Sequence, residues 1–108
     1  MKVELLYFEG CPNWLVADER LRQALDQVGA RETRVEHVLV STPEEAQERR
    51  FRGSPTVLVD GWDPFAQPDA PVGLSCRLYR SNGRLAGAPT VEELVEAITS
   101  AGRAPAPG

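Results

Sequence analysis

The chain has 108 residues, enough for a single domain, and its 42% hydrophobic and 26% charged residues are ordinary for a globular protein. Its net charge of −4, with Lys2 as the only lysine, argues against a nucleic-acid partner, because phosphate contacts need clustered Lys and Arg. Residues 1–8 are too short and mixed for a signal peptide, and no apolar run approaches the roughly 20 residues of a membrane span, so we expect a cytoplasmic protein without a membrane partner.

The first half of the chain predicts a strand, a helix and a second strand. Residues 3–8 form a nearly continuous apolar run, which is typical of a buried central strand. From Trp14 to Val28 the apolar residues recur with helical spacing, and Gly29 supplies a left-handed stop. Residues 33–40 alternate and then become apolar, as in a strand. This order predicts a right-handed crossover between two parallel strands.

The start of the first helix can be placed in two ways. Pro12 suits the first helical position, which makes Cys11 the cap. Asn13 is also a good cap, and then Cys11 lies just outside the helix. A cysteine just before a helix meets the positive end of the helix dipole, which favours the reactive thiolate. The second placement weakens that effect, and Cys11 could also be an inert buried cysteine.

The middle of the chain predicts a surface helix, a strand and a long loop. Residues 42–45, Thr-Pro-Glu-Glu, combine a cap, a first-turn proline and a glutamate, and the helix should run to about Arg50. Residues 56–60 are rich in branched side chains and give the strongest strand signal. Residues 62–75 contain Pro and Gly without any period, so they predict an irregular loop.

The last third predicts a short strand and a final helix. Residues 76–80 are expected to form the strand, ended by the tight turn Asn82-Gly83. A second capping box at residues 90–93 opens a helix that Gly102 should close. The domain should therefore cover residues 1–102, with residues 103–108 as a disordered tail.

Two motifs carry a resemblance to a known superfamily. Cys11-Pro12-Asn13-Trp14 stands at the first strand-to-helix junction, and Arg52-Gly53-Ser54-Pro55-Thr56 precedes the third strand. They are similar to the Cys-x-x-Cys and cis-proline segments of the thioredoxin-like superfamily, over roughly residues 2–101. The resemblance implies an α/β fold, β-α-β-α-β-β-α, with a four-stranded mixed sheet and flanking helices. It also implies that Pro55 is cis, lies against the Cys11 sulfur and exposes the backbone of Ser54 to an extended substrate or glutathione.

The chain departs from that pattern because Trp14 replaces the second cysteine. A dithiol enzyme uses the second thiolate to release its mixed disulfide. The resemblance therefore implies a monothiol member, resolved by an outside thiol or by Cys76. In the family topology, however, Cys76 lies at the far end of the strand predicted over residues 76–80. It is therefore about 13 Å farther from Cys11 than the near end of that strand. A disulfide needs Cα atoms within about 7 Å, so direct pairing is not expected unless the 62–75 loop folds back.

Two side chains of these motifs, Trp14 and Arg52, and the single histidine each have alternative roles. Trp14 either faces the core or flanks the sulfur and shapes a substrate groove. Arg52 either attracts a carboxylate, such as that of glutathione, or is solvated. His37, the only histidine, should lie at a sheet edge away from Cys11, where it is either solvated or satisfied within the core. No spacing fits a zinc or calcium site, so neither a metal nor a bound cofactor is predicted.

The resemblance implies a monothiol, glutaredoxin-like thiol–disulfide oxidoreductase. In this hypothesis Cys11 attacks a disulfide or an oxidised thiol, and Trp14, Ser54 and Pro55 form the substrate site. Glutathione or another small thiol is the co-substrate. One alternative is a redox-inactive protein of the same fold that binds mercury or arsenic through Cys11, because thiolates prefer soft ions. Another is an adaptor that uses the groove to bind proteins.

Overall fold

The structure is a computed structural model that describes residues 1–67, 69–81 and 83–103. Within these ranges the chain forms an α/β fold of five strands and three helices. In chain order the elements are β1 (Val3–Tyr7), α1 (Asn13–Gln27), β2 (Val35–Leu39), α2 (Pro43–Arg49), β3 (Thr56–Val59), β4 (Tyr79–Ser81), β5 (Arg84–Ala86) and α3 (Val91–Arg103).

The main sheet has three strands in the order β2-β1-β3. β1 pairs in parallel with β2, as predicted, and in antiparallel with β3, with Val3 opposite both Val35 and Val59. β4 and β5 form a separate antiparallel pair in which Tyr79 lies opposite Ala86. The expected four-stranded sheet is therefore not seen in the described ranges, because β4 pairs with β5 instead of with β3.

Both faces of the central strand β1 are buried, as its apolar run predicts. Side chains alternate along a strand, so Leu5 and Leu6 enter different clusters. Leu5 belongs to a core that includes residues of α1 and α3. Leu6 packs with Val40, Ala46 and Phe51, on the side of α2. Two residues of the predicted loop, Val72 and Leu74, also pack against this second cluster.

The helix ends largely follow the predicted capping. The hydroxyl of Thr42 accepts the N–H of Glu45 at 3.1 Å at the start of α2. At α3, Thr90 and Glu93 form the reciprocal bonds of a capping box, at 2.8 and 3.1 Å. At the end of α1, Gly29 has a φ of +78°, the left-handed conformation expected there.

Two details of the helix ends differ from the prediction. α1 begins at Asn13 with Pro12 as its cap and without a side-chain capping bond, so Cys11 lies just outside the helix. α3 continues through Gly102 to Arg103, so Gly102 does not close it. Asn82 of the predicted turn and residues 104–108 of the predicted tail lie outside the described residues. Within the described ranges, no helix combines the length and apolar character needed to cross a bilayer.

Candidate functional site

The two cysteines of the chain are joined to each other. Cys11 and Cys76 form a disulfide with a Cα–Cα distance of 5.7 Å, across 65 positions of sequence. The expectation that Cys76 lies too far from Cys11 was wrong. The strand expected over residues 76–80 begins only at Tyr79, and Cys76 instead makes a parallel bridge with Ser54.

The loop folds back along the connection between α2 and β3, which was the exception left open by the sequence. The N–H of Gly73 donates to the carbonyl of Phe51 at 3.0 Å. The N–H of Ser54 then donates to the carbonyl of Ser75 at 2.7 Å, and the N–H of Arg77 donates to the carbonyl of Ser54 at 2.8 Å. These bonds lie on either side of Cys76 and place its sulfur beside Cys11.

The peptide bond between Ser54 and Pro55 is cis, as the resemblance implied. The Cys11 Sγ atom lies 3.6 Å from the carbonyl oxygen of this peptide bond. The structure therefore brings together four of the predicted site residues, Cys11, Ser54, Pro55 and Cys76. The backbone of Ser54 is not exposed, however, because residues 75–77 bond to both its N–H and its carbonyl and Ser54 is fully buried.

The two cysteines differ sharply in their exposure to solvent. Cys11 has a relative exposure of 0%. Cys76, in contrast, is an exposed residue. The disulfide thus connects a buried residue at the start of α1 with a residue at the protein surface.

Arg77 is a residue of the candidate site that no pattern in the sequence indicates. Its side chain is buried, with 3% of the residue exposed. Its guanidinium pairs with Asp63 at 2.9 Å and donates to the hydroxyl of Thr56 at 3.2 Å and to the carbonyl of Phe65. An arginine inside a predicted strand gives no periodic signal for such a role, because its partners come from a separate strand and from an irregular loop. Arg77 holds the segment after Cys76 against β3.

Tyr79 links this segment to the cis peptide. Its hydroxyl donates to the carbonyl of Pro55 at 2.5 Å, and Arg77 lies over its ring, 4.7 Å from the centroid. Burial raises the pKa of the Tyr79 hydroxyl well above its usual value; the nearby Arg77 charge lowers it and the Asp63 charge raises it. Tyr79 therefore remains a neutral hydrogen-bond donor at ordinary pH.

Comparison of the chain with protein-family models, curated proteins and solved structures found no match. In the described part of the chain, no group of three or more His, Cys, Asp or Glu residues is arranged to hold a metal ion.

Trp14 packs as a half-buried core residue. It lies against the main core and stacks on Tyr7 with ring centroids 4.2 Å apart. His37 makes a T-shaped contact with the Trp14 ring, with ring centroids 5.4 Å apart, and pairs with Asp18 at 2.8 Å. His37 is on β2, at the edge of the main sheet, as predicted. A role for Trp14 as a wall of the substrate site stays a prediction.

Arg52 helps to hold the loop in place. Its guanidinium donates a hydrogen bond to the carbonyl of Ala70, and the residue is half-buried. This contact adds a side-chain link to the backbone bonds of Gly73 and Ser75. Binding of a substrate carboxylate by Arg52 stays a prediction.

Proposed function

We propose that this protein is a thiol–disulfide oxidoreductase of the thioredoxin-like type, with Cys11 and Cys76 as its redox pair. The observation that supports this function best is the apposition of the two cysteines next to the cis peptide bond at Pro55. Thiol–disulfide exchange needs two sulfurs that can bond to each other and be released again. The chain supplies the second thiol from residue 76, so it does not need the second cysteine that Trp14 replaces.

The reaction transfers two electrons between the cysteine pair and a partner. In the reduced protein, one cysteine thiolate attacks a substrate disulfide, forms a mixed disulfide and releases one substrate thiolate. The other cysteine, as a thiolate, then attacks the mixed disulfide, closes the Cys11–Cys76 bond and releases the second substrate thiolate. Two molecules of glutathione or of another small thiol restore the dithiol and leave as their disulfide.

The contacts that hold Cys76 in place do not depend on its sulfur. Backbone bonds from Ser54 lie on both sides of Cys76, and the Arg77 guanidinium is anchored to Asp63 and Thr56. We expect these contacts to survive reduction and to keep the two thiols close. When one of these cysteines carries a mixed disulfide, the other attacks it and releases the partner thiolate much more readily than a free thiol would, because little orientational entropy is lost.

The same apposition favours a second candidate function, the binding of a soft metal ion or metalloid. After reduction the two sulfurs could bind mercury(II) or arsenite as thiolates, which are the ligands these soft species prefer. This function needs only that the two thiols be close together. It does not require exchange with a partner disulfide, so the two functions can be separated by experiment.

The test is a thiol-transferase assay with reduced glutathione and a small mixed-disulfide substrate. Wild type is compared with C11S and C76S, and the redox equilibrium of the pair is measured in glutathione buffers. We expect the folded wild type to be reduced reversibly and to catalyse transfer. The reaction that uses both cysteines should be lost in C11S and in C76S. A disulfide that cannot be reduced without unfolding, or transfer unchanged in both variants, contradicts the proposal. Tight mercury(II) binding without transfer would support the second candidate instead.

A further inference from the structure

We propose that Cys76, and not Cys11, is the sulfur that forms the mixed disulfide with a partner, and that Cys11 is the resolving thiol. This inference rests on the proposed function. It reverses the roles that the sequence suggested, in which Cys11 attacks and Cys76 resolves.

Access to the two sulfurs decides which of them can be attacked. A thiolate must reach the disulfide sulfur directly, approximately in line with the bond that breaks. Cys11 has no exposed surface, whereas Cys76 is exposed. An external thiolate can therefore contact only Cys76 in the folded protein. The attack forms a bond to the Cys76 sulfur, breaks the Cys11–Cys76 bond and leaves the electron pair on Cys11.

The surroundings of Cys11 suit a buried resolving thiol. Its Sγ atom lies 3.6 Å from the carbonyl oxygen of Ser54. In the disulfide this is a contact without a proton, but a reduced and protonated Cys11 can donate its S–H to the same oxygen. The backbone N–H of Cys11 is already bonded to the carbonyl of Phe8 at 3.3 Å. Cys11 therefore keeps its position after reduction.

The surroundings of Cys76 keep it in reach of both a partner and Cys11. The bonds from Ser54 to Ser75 and from Arg77 to Ser54 fix the chain on either side of it. Its Cα atom lies 5.7 Å from that of Cys11, within the range of a disulfide. In the reducing direction, the Cys76 thiolate attacks a substrate disulfide and expels one substrate thiolate. The expelled thiolate takes the proton of the Cys11 S–H, and the Cys11 thiolate then attacks the Cys76 sulfur and expels the second substrate thiolate.

The test compares the two single-cysteine variants, which are matched in charge and size. C11S retains only Cys76, and C76S retains only Cys11. Each folded variant is mixed with glutathione disulfide, and the mixed disulfide is followed by mass spectrometry. We expect Cys76 to react at least about 100-fold faster than Cys11, because a buried thiol reacts only in molecules that have opened locally. In concentrated guanidinium chloride the two rates should become similar.

A second measurement uses the wild type and does not depend on the folding of either variant. The reduced protein is treated with less than one equivalent of iodoacetamide, and the labelled cysteine is identified by peptide mapping. Label found predominantly on Cys76 supports the proposal. Equal labelling, or label predominantly on Cys11, overturns it. Failure of the proposed function would be seen separately, as a pair that does not equilibrate with glutathione.

Discussion

The backbone of Gly53 lies directly against that of Arg77. Gly53 has a φ of +121°, a conformation that residues with a side chain rarely adopt. A Cβ atom at this position would lie 2.9 Å from the Cβ of Arg77 and 3.1 Å from its backbone nitrogen. The close approach of the two segments, which brings Cys76 to Cys11, therefore depends on the absence of a side chain at residue 53.

Replacing this glycine should weaken both the fold and the disulfide. For G53A we expect the free energy of unfolding to fall by about 2 kcal/mol, from backbone strain and the clash with Arg77. The equilibrium constant for forming the Cys11–Cys76 disulfide should fall as well, because the segment around Cys76 must shift. Urea unfolding and equilibration with glutathione measure the two effects.

The matched control is G73A. A Cβ atom at residue 73 would meet no atom of another segment within 4 Å, and the φ of Gly73 lies outside the left-handed region. We expect it to leave both measurements nearly unchanged. Equal effects of G53A and G73A would show that the approach of Gly53 to Arg77 does not hold the segment.

The buried ion pair between Arg77 and Asp63 should be sensitive to the loss of one partner. In R77M the Asp63 carboxylate, with a side chain 24% exposed, loses its cation and remains partly buried. Breaking a buried pair costs about 3–5 kcal/mol, and the partial exposure of Asp63 favours the lower end. Urea unfolding measures the loss.

A double-mutant cycle separates the ion pair from the other contacts of Arg77. D63N/R77M removes both charges, so we expect it to be less destabilised than the sum of D63N and R77M. Additive effects of the two substitutions would mean that Arg77 stabilises the protein through its contacts with Thr56, Phe65 and Tyr79, and not through the ion pair.

Tyr79 should make the stability of the protein fall at alkaline pH. Its folded-state pKa is raised by burial, so above the unfolded value of about 10 the unfolded chain loses a proton that the native state retains. Its contribution is fully present below that pH and is lost as the pH rises towards the folded-state pKa, by about 1.4 kcal/mol per pH unit. Urea unfolding between neutral and alkaline pH measures this slope.

Y79F is the control for the alkaline effect. It removes the titrating hydroxyl, so the slope above the unfolded pKa should be smaller than in wild type. It also leaves the Pro55 carbonyl without its donor, which should cost about 1–3 kcal/mol at neutral pH. The same alkaline slope in both proteins would contradict the assignment to Tyr79.

Ser54 should act through its backbone and not through its hydroxyl. The hydroxyl oxygen is buried and has no hydrogen-bond partner among the described residues. We therefore expect S54A to change the free energy of unfolding by no more than about 1 kcal/mol, and in the stabilising direction. The glutathione equilibrium should also be unchanged, since the backbone bonds to Ser75 and Arg77 remain. A large loss in either measurement would assign the hydroxyl a role.

Reduction of the disulfide should destabilise the protein without unfolding it. The bond closes a loop of 65 positions, for which the chain-entropy relation gives about 4 kcal/mol. Urea unfolding with and without dithiothreitol measures the difference. The double variant C11S/C76S should not respond to dithiothreitol, and a wild type that also fails to respond would show that the disulfide does not stabilise the fold.

The sequence alone was sufficient to predict the features that depend on interactions between neighbouring residues. The caps at Thr42 and Thr90 and the left-handed Gly29 follow from hydrogen bonds and backbone preferences within a few positions. The buried central strand follows from a local, nearly continuous apolar run, because burial on both faces favours apolar side chains at successive positions. The cis peptide before Pro55 was expected from the resemblance of its motif.

Tertiary contacts alone decided where Cys76 lies. Its position depends on backbone bonds between residues 54 and 75–77, on loop residues packed against the second core cluster, and on the buried charge of Arg77. None of these contacts produces a periodic pattern of residue types in the sequence. Backbone groups are nearly the same in every residue, and the partners of Arg77 come from other parts of the chain. The tertiary structure also makes Cys11 the buried member of the pair and Cys76 the exposed one.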